Sequence, residues 1–231
     1  IFLSSGSPHN LLTLSFHEGF YRLYGEQNIV PYENDKSVSI SMDERTSSGF
    51  SSQKPYMYGS FSASIKLPED YTAGVVVAFY VANNQNHPYN HDEIDIEFLG
   101  HIDGENWLYS ILWNEKQIIY YVDDVPIREV RRTEAMEGDW PSKPMTLYGT
   151  IWNGSDWATH GGKYKIDLKY SPFVAKYSDF VLNGCPVNPI QIQPPKCEAP
   201  IRAGVTPDQR RKMKNFRRKH MTYSYCYDKN R

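Results

Sequence analysis

The sequence predicts an all-β protein, an antiparallel β-sandwich of jelly-roll type followed by a short C-terminal extension that contains a helix. Short alternating or apolar runs, separated by turn residues, fill the chain from Leu11 to about Tyr170. Helical stretches do not alternate with these runs, which favours antiparallel sheets over βαβ units. At 231 residues the chain can bury a sizeable core in one such domain.

Individual runs locate the strands. Residues 37–41 alternate serine with Val and Ile, whereas residues 74–80 and 118–122 are mainly apolar. Both patterns are typical of β-strands. Residues 83–86 and 103–104 are rich in Asn or contain Asp-Gly, and they indicate turns between strands.

The most informative run is residues 91–100, which read His-Asp-Glu-Ile-Asp-Ile-Glu-Phe-Leu-Gly. Apolar and acidic residues alternate here, and this period of two predicts a strand with its apolar side chains buried. The side chains of His91, Glu93, Asp95 and Glu97 then share the other face. Three carboxylates in one row repel each other, so an ordinary solvated strand would rarely be built this way. The alternative interpretation is an exposed acidic strand that has no catalytic or binding role.

Retaining glycoside hydrolysis requires such a row. It needs two carboxyl groups about 5–5.5 Å apart, one as nucleophile and one as general acid and then base. The Cα atoms of Glu93 and Glu97 are about 13 Å apart along a strand, and both side chains can lean inward over Asp95. We expect Asp95 to hydrogen-bond one Glu and keep it ionised, while the crowded charge raises the pKa of the other.

A metal site formed by His91 and the carboxylates is the other functional interpretation of this row. Oxygen-rich sites bind calcium or manganese. Four ligands from one straight strand cannot surround an ion, however, so we expect neither a metal nor a cofactor.

Residues 91–100 resemble, residue for residue, the signature of the plant xyloglucan endotransglucosylase/hydrolases of glycoside hydrolase family 16. The Ile in the middle of the motif and the basic C-terminal segment are most similar to the divergent third group of that family. The resemblance implies that Glu93 is the nucleophile, Asp95 its helper and Glu97 the acid/base. Further segments that resemble the family are residues 43–50, 65–68, 122–128, 156–164 and 223–226.

The resemblance also implies the substrate and its contacts. It predicts a xyloglucan donor and a xyloglucan or oligosaccharide acceptor, and a secreted monomer of the cell wall or apoplast. His160 stands where the family has Arg. For Trp152, core packing and sugar stacking are equally good interpretations. The substrate-binding residues expected are Glu97, Asp156, Trp157, Gly161, Arg231, His91 and Trp152.

Charge and composition limit the partners. The net charge is −2, with 25 basic and 27 acidic residues, so nothing global indicates nucleic acid or a membrane surface. No apolar run approaches the roughly 20 residues that span a bilayer. Residues 1–10 begin with an apolar and then small-residue stretch, which we interpret as the remnant of a secretory signal. Residues 11–182 are assigned to the catalytic jelly roll and residues 183–231 to the extension.

The three cysteines suggest an oxidising compartment. Cys185 and Cys197 flank a Pro-rich loop and are predicted to form a disulfide. Cys226 is then left over. In the family this cysteine pairs with one nearer the C-terminus, which this sequence does not reach.

The C-terminal segment predicts a basic helix. Residues 206–209, Thr-Pro-Asp-Gln, have the pattern of a capping box with proline in the first turn. Met213, Phe216 and His220 follow at helical spacing. Residues 202–231 contain ten Lys or Arg and two Asp. We interpret this charge as a solvated helix face, with contact to an acidic wall polysaccharide as the alternative.

One departure from the family follows the acidic strand. Family members carry a long segment there, with a Gln-Thr-Asn tripeptide and an Asp-Arg-Glu or similar triplet. Residues 100–113 instead resemble two family segments fused near residues 104–109. We therefore expect lost strand partners, poor solubility and weak activity. The alternative function is a catalytically impaired, glycan-binding or unstable variant.

Overall fold

The structure is a computed structural model that describes residues 12–100, 106–136, 138–188 and 204–227. Within these ranges twelve strands and three helices form the chain. The strands are β1 (Phe20–Tyr24), β2 (Ile29–Tyr32), β3 (Ser37–Met42), β4 (Ser48–Ser52), β5 (Tyr56–Lys66), β6 (Val75–Ala82), β7 (Glu93–Leu99), β8 (Asn106–Trp113), β9 (Gln117–Val122), β10 (Val125–Arg131), β11 (Thr146–Asn153) and β12 (Phe173–Pro186). The helices are α1 (Phe16–Gly19), α2 (Ala158–Gly162) and α3 (Pro207–His220).

The strands form two antiparallel sheets, which confirms the predicted fold class. The smaller sheet has the order β1-β4-β11-β6-β7, and the larger has the order β10-β9-β8-β5-β12-β3-β2. The predicted runs at residues 37–41, 74–80 and 118–122 fall in β3, β6 and β9. Residues 84–86 form a turn as expected, and residues 103–104 lie outside the described residues.

The core lies between the two sheets, because each sheet places its apolar side chains on the inner face. In β3 the buried positions alternate with half-buried ones, as its serine–aliphatic pattern predicted. Phe50 is at the centre of an aromatic cluster, with ring centroids 5.1 Å from Phe20 and 5.2 Å from Tyr177. Fully burying one such side chain contributes about 1.5–3 kcal/mol.

The shortened segment after β7 does not interrupt either sheet. Every strand between β1 and β7 in the smaller sheet has a partner on both sides. In the described residues β7 pairs with β6 alone and forms an edge of the sheet, so any unpaired backbone lies beside the acidic row. The expected loss of strand partners, with the poor solubility and weak activity expected from it, stays a prediction.

The C-terminal part begins later than the boundary at residue 182, because β12 continues to Pro186 and Val187 is buried in the core. Helix α3 begins with the predicted capping box between Thr206 and Gln209. Its Met213 is buried. The helix packs against β10, where Arg210 forms an ion pair with Glu129 at 2.9 Å.

Residues 1–10, which the sequence suggested are the remnant of a secretory signal, lie outside the described residues, as do Cys197 and Arg231. Cys185 is disulfide-bonded and Cys226 is an exposed free thiol. In the described ranges no helix is both long and apolar enough to span a bilayer.

Candidate active site

Strand β7 has the alternating pattern that its sequence predicted. Ile94 is 3% exposed, and Ile96 and Phe98 pack against the same core. Glu93, Asp95 and Glu97 lie on the opposite face, outside the sandwich. The smaller sheet therefore presents a row of three carboxylates to solvent.

Asp92 fixes the beginning of this strand. Its Oδ2 accepts hydrogen bonds from the backbone N–H groups of Ser142 and Lys143, each at 2.9 Å. Its Oδ1 pairs with Lys143 Nζ at 2.6 Å, and its backbone N–H donates to Asn83 Oδ1 at 2.8 Å. Burial alone would raise the pKa of Asp92, but Lys143 and the two N–H donors outweigh burial and lower it. The strand is thus tied to the loop before β11.

The strand register defines the floor beside the carboxylates. Glu97 lies opposite Ala78 on β6, which lies opposite Thr150 on β11. These small side chains leave an open cavity of about 340 Å³. The residues that line it are Tyr24, Ala78, Tyr80, Asn84, Glu93, Asp95, Glu97, Thr150 and Trp152.

Aromatic rings form one wall of the site. Tyr80 lies opposite both Asp95 and Tyr148 in the register, and the two tyrosine rings stack with centroids 5.0 Å apart. Burial, followed by the nearby Tyr24 and acidic groups, raises the pKa of Tyr80, so its phenol stays protonated. Trp152 lines the cavity and its ring lies 5.9 Å from that of Trp157. Flat rings of this kind suit the apolar faces of sugars.

Asp95 and Glu97 have raised pKa values. Burial, together with the charge and side-chain hydrogen bond of Glu93 and the charge of Glu97, raises the pKa of Asp95 to about 7. Burial and then the charge of Glu93 raise the pKa of Glu97. Asp95 thus makes the expected hydrogen bond to a Glu. The raised pKa of Glu97 was also expected, although burial contributes more than crowded charge.

The other predicted residues lie at different distances from the carboxylates. His91 Nε2 is 3.6 Å from Glu93 Oε2. Trp157 lies beside Trp152 but does not itself line the cavity. Asp156 is exposed and 3.6 Å from Lys165, and Gly161 adopts a φ of +66° in the irregular helix α2. Neither Asp156 nor Gly161 is among the residues that line the cavity.

Sequence reasoning missed several residues of the site. Tyr80 was read as part of an apolar run, although the period of two in residues 75–82 places it on the same face as Ala78. Tyr148 and Tyr24 carried no such signal, because their positions depend on the strand order. In the described residues no group of three His, Cys, Asp or Glu side chains could hold a metal ion.

Comparison with family models gives two matches. A model described as "Glycosyl hydrolases family 16" matches residues 16–108 and 105–170. A second model, "Xyloglucan endo-transglycosylase (XET) C-terminus", matches residues 196–231. The two pieces of the first match meet at residues 105–108, where the sequence suggested that two family segments are fused.

Two curated proteins of Arabidopsis thaliana are similar along nearly the whole chain. "Probable xyloglucan endotransglucosylase/hydrolase protein 27" is 49% identical over 266 positions, covering 99% of this chain and 80% of that protein. Protein 28 of the same series is 48% identical, covering 98% and 79%. The alignment with protein 27 is longer than the 231-residue chain, so that relative contains residues that this chain lacks.

Solved structures share the fold. The Bacillus licheniformis beta-glucanase has a TM-score of 0.55 and 17% identity, covering 75% of this chain and 94% of that one. A laminarinase from Flavobacterium sp. UMI-01 has a TM-score of 0.57 and 19% identity, covering 73% and 94%. At these identities the comparison establishes the architecture alone.

Proposed function

The chain belongs to glycoside hydrolase family 16 and to its xyloglucan endotransglucosylase/hydrolases, and we propose that it cuts and religates the glucan backbone of xyloglucan by a retaining mechanism. The observation that carries this proposal is the cavity in which Glu93, Asp95 and Glu97 meet a wall of aromatic rings. Retention needs two carboxyl groups in different protonation states, and Glu97 has the raised pKa that an acid requires.

Glu93 is the proposed nucleophile. Its carboxylate attacks the anomeric carbon of a backbone glucosyl unit, the glycosidic C–O bond breaks, and a covalent glycosyl ester forms. Asp95 is protonated below about pH 7 and donates its hydrogen bond to Glu93. That bond orients the attacking carboxylate without adding a second negative charge beside it.

Glu97 is the proposed acid/base. In the first step it donates its proton to the leaving sugar oxygen. In the second step its carboxylate takes a proton from the attacking hydroxyl group, whose oxygen forms a bond to the anomeric carbon while the ester bond to Glu93 breaks and frees that carboxylate. If that hydroxyl belongs to another glucan chain, the result is transglucosylation. If it belongs to water, the result is hydrolysis.

The sugar chain is proposed to lie across the smaller sheet. Tyr24, Tyr80 and Trp152 line the cavity beside the carboxylates, and Trp157 extends this surface beyond the cavity. Asp156, Gly161, His91 and Arg231 remain proposed substrate contacts on the family pattern. A xyloglucan donor and a xyloglucan acceptor are the proposed partners of a monomer secreted to the cell wall.

One observation favours a second candidate function, a glycan-binding protein with impaired turnover. Strand β7 is an edge strand in the described residues, and protein 27 has residues that this chain lacks. The chain could then hold sugar on its aromatic wall without placing it correctly, and misplacement by about 1 Å can cost on the order of 10²-fold in rate.

One assay separates the two candidates. The purified chain is incubated with xyloglucan and a labelled xyloglucan oligosaccharide, and both label incorporation and viscosity are followed. We expect the labelled oligosaccharide to be incorporated into polymer, and the viscosity to fall more slowly than the label is incorporated. Retention of the chain on xyloglucan with neither change would favour the binding protein and contradict the enzyme.

A further inference from the structure

Helix α3 has a buried face and a basic face. Met213 is buried against the larger sheet. At 100° per residue, Arg211, Lys214 and Arg218 lie together on the opposite side of the helix, and all three are exposed. Arg211 pairs with Asp208, whereas neither Lys214 nor Arg218 takes part in an ion pair with another described residue, so two of the three charges in this row are available.

The basic charge is concentrated in this part of the chain. Residues 202–231 contain ten of the 25 Lys and Arg residues but two of the 27 Asp and Glu residues. The remaining 201 residues therefore have a clear excess of acidic groups. The sandwich therefore repels an approaching polyanion, whereas α3 attracts it. Contact with a polyanion is thus expected at the helix and not at the sandwich.

Exposed tyrosines follow the basic row. Tyr223, Tyr225 and Tyr227 are 66%, 63% and 74% exposed. Tyrosine rings give flat apolar surfaces for sugar rings and a hydroxyl group for hydrogen bonds. Arginine and lysine beside them supply partners for carboxylates, which arginine can bind with two parallel hydrogen bonds.

The position of α3 separates this surface from the catalytic cleft. Leu112, Ile119 and Tyr121 form a small cluster with Val205, just before the helix, while their neighbours Ile111 and Ile118 face the main core. The helix therefore lies on the outer face of the larger sheet. The carboxylate row lies on the outer face of the smaller sheet, so both surfaces can be occupied at once.

We propose that the exposed face of α3, with the tyrosines that follow it, is a docking surface for a carboxylated polysaccharide. A neutral glucan has no carboxylates to pair with the row of cations, so it would gain nothing from this surface. The choice of a sugar polymer as the partner rests on the proposed function. Bound there, the protein would be held on an acidic matrix while its cleft acts on a neutral glucan chain.

The test compares binding of the whole chain to polygalacturonate, to its methyl-esterified form and to xyloglucan, by affinity electrophoresis at several salt concentrations. The surface variant is Arg211→Gln/Lys214→Gln/Arg218→Gln. The matched control, Lys36→Gln/Lys54→Gln/Lys176→Gln, removes the same charge from exposed positions of the sandwich.

We expect polygalacturonate to bind and its methyl ester to bind much more weakly, with binding falling as salt rises. The surface variant should bind about tenfold more weakly, as expected for the loss of three exposed charge contacts, and the control should match the unchanged chain. Equal losses in both variants, equal binding of the methyl ester, or binding only to anionic vesicles or single-stranded DNA would overturn the proposal. An inactive chain that still binds polygalacturonate through α3 would contradict the proposed function but not the docking surface.

Discussion

Asp92 and Asp95 belong to the same motif, yet their surroundings have opposite effects. Two backbone N–H groups and Lys143 surround Asp92 and lower its pKa. Asp95 has burial and two acidic neighbours instead, and its pKa rises to about 7. The difference follows from the donors and cations that each carboxyl meets, because Asp92 has three such partners and Asp95 has two acidic neighbours. Asp92 therefore stays ionised and fixes the beginning of β7, whereas Asp95 keeps its proton up to a higher pH.

The support of strand β7 also differs between its beginning and its outer edge. The beginning of β7 is fixed by Asp92 to a loop about 50 residues away in sequence, whereas the outer edge of β7 has no strand partner in the described residues. The row of carboxylates is therefore held by one neighbouring strand and by the hydrogen bonds and ion pair of Asp92, here called the Asp92 clamp. Changes to the row should affect chemistry, and changes to the clamp should affect stability.

The largest expected effect is on the proposed nucleophile. Glu93→Ala should lower transglucosylation by about 10⁴-fold or more, because no covalent glycosyl ester can form. The unfolding midpoint should not fall, since Glu93 lies on the solvent side of β7. Rates and urea unfolding curves measured on the same preparation check this separation. Substantial turnover in a folded Glu93→Ala protein would exclude the proposed role.

Glu97→Ala should give a smaller, substrate-dependent loss. General acid catalysis contributes about 10²–10⁴-fold, and this loss should be greatest for natural glucan, whose leaving oxygen needs a proton. An activated aryl glycoside should lose much less. Since burial raises the pKa of Glu97, activity on natural glucan should fall as pH rises through that pKa. Equal losses on both substrates would contradict the acid/base role.

Asp92→Ala should mainly reduce stability. It leaves two backbone N–H groups and Lys143 without their acceptor, which costs about 2 kcal/mol in the free energy of unfolding. Because the folded pKa of Asp92 is lowered, this contribution is present above about pH 4 and is lost as pH falls further. Denaturant unfolding at neutral and acid pH tests it, with Asp139→Ala, an exposed position in the same loop, as the control. A loss as small as that of the control would show that the clamp is unimportant.

The smallest expected effect is on the pH dependence of stability at Asp95. In the folded chain its pKa is about 7, above the roughly 3.9 of unfolded aspartate. Between these values the folded chain holds a proton that the unfolded chain has released, so the free energy of unfolding falls as pH rises. Asp95→Asn should remove that part of the fall, and Asp139→Asn should not. Identical pH profiles for Asp95→Asn and the unchanged chain would contradict the raised pKa.

The sequence predicted the parts of the molecule that depend on local pattern. The period of two at residues 91–98 predicted both β7 and the shared face of its carboxylates, and the capping residues Thr206 and Gln209 predicted the beginning of α3. The partners of Asp92 could not be predicted, because Ser142 and Lys143 reach it only through tertiary packing. The pairing of Tyr80 with Tyr148 likewise depends on strand order. The edge position of β7 follows from the assembled sheet, and no local pattern encodes it.

The most direct test of the whole account is covalent labelling of the nucleophile. The chain is incubated with a 2-fluoro xyloglucan oligosaccharide that carries a good leaving group, and the adduct is located by intact mass and peptide mapping. The account predicts one sugar per chain, attached to Glu93 and absent from Glu93→Gln. Attachment at Glu97, or no adduct on a folded chain that binds the oligosaccharide, would contradict it.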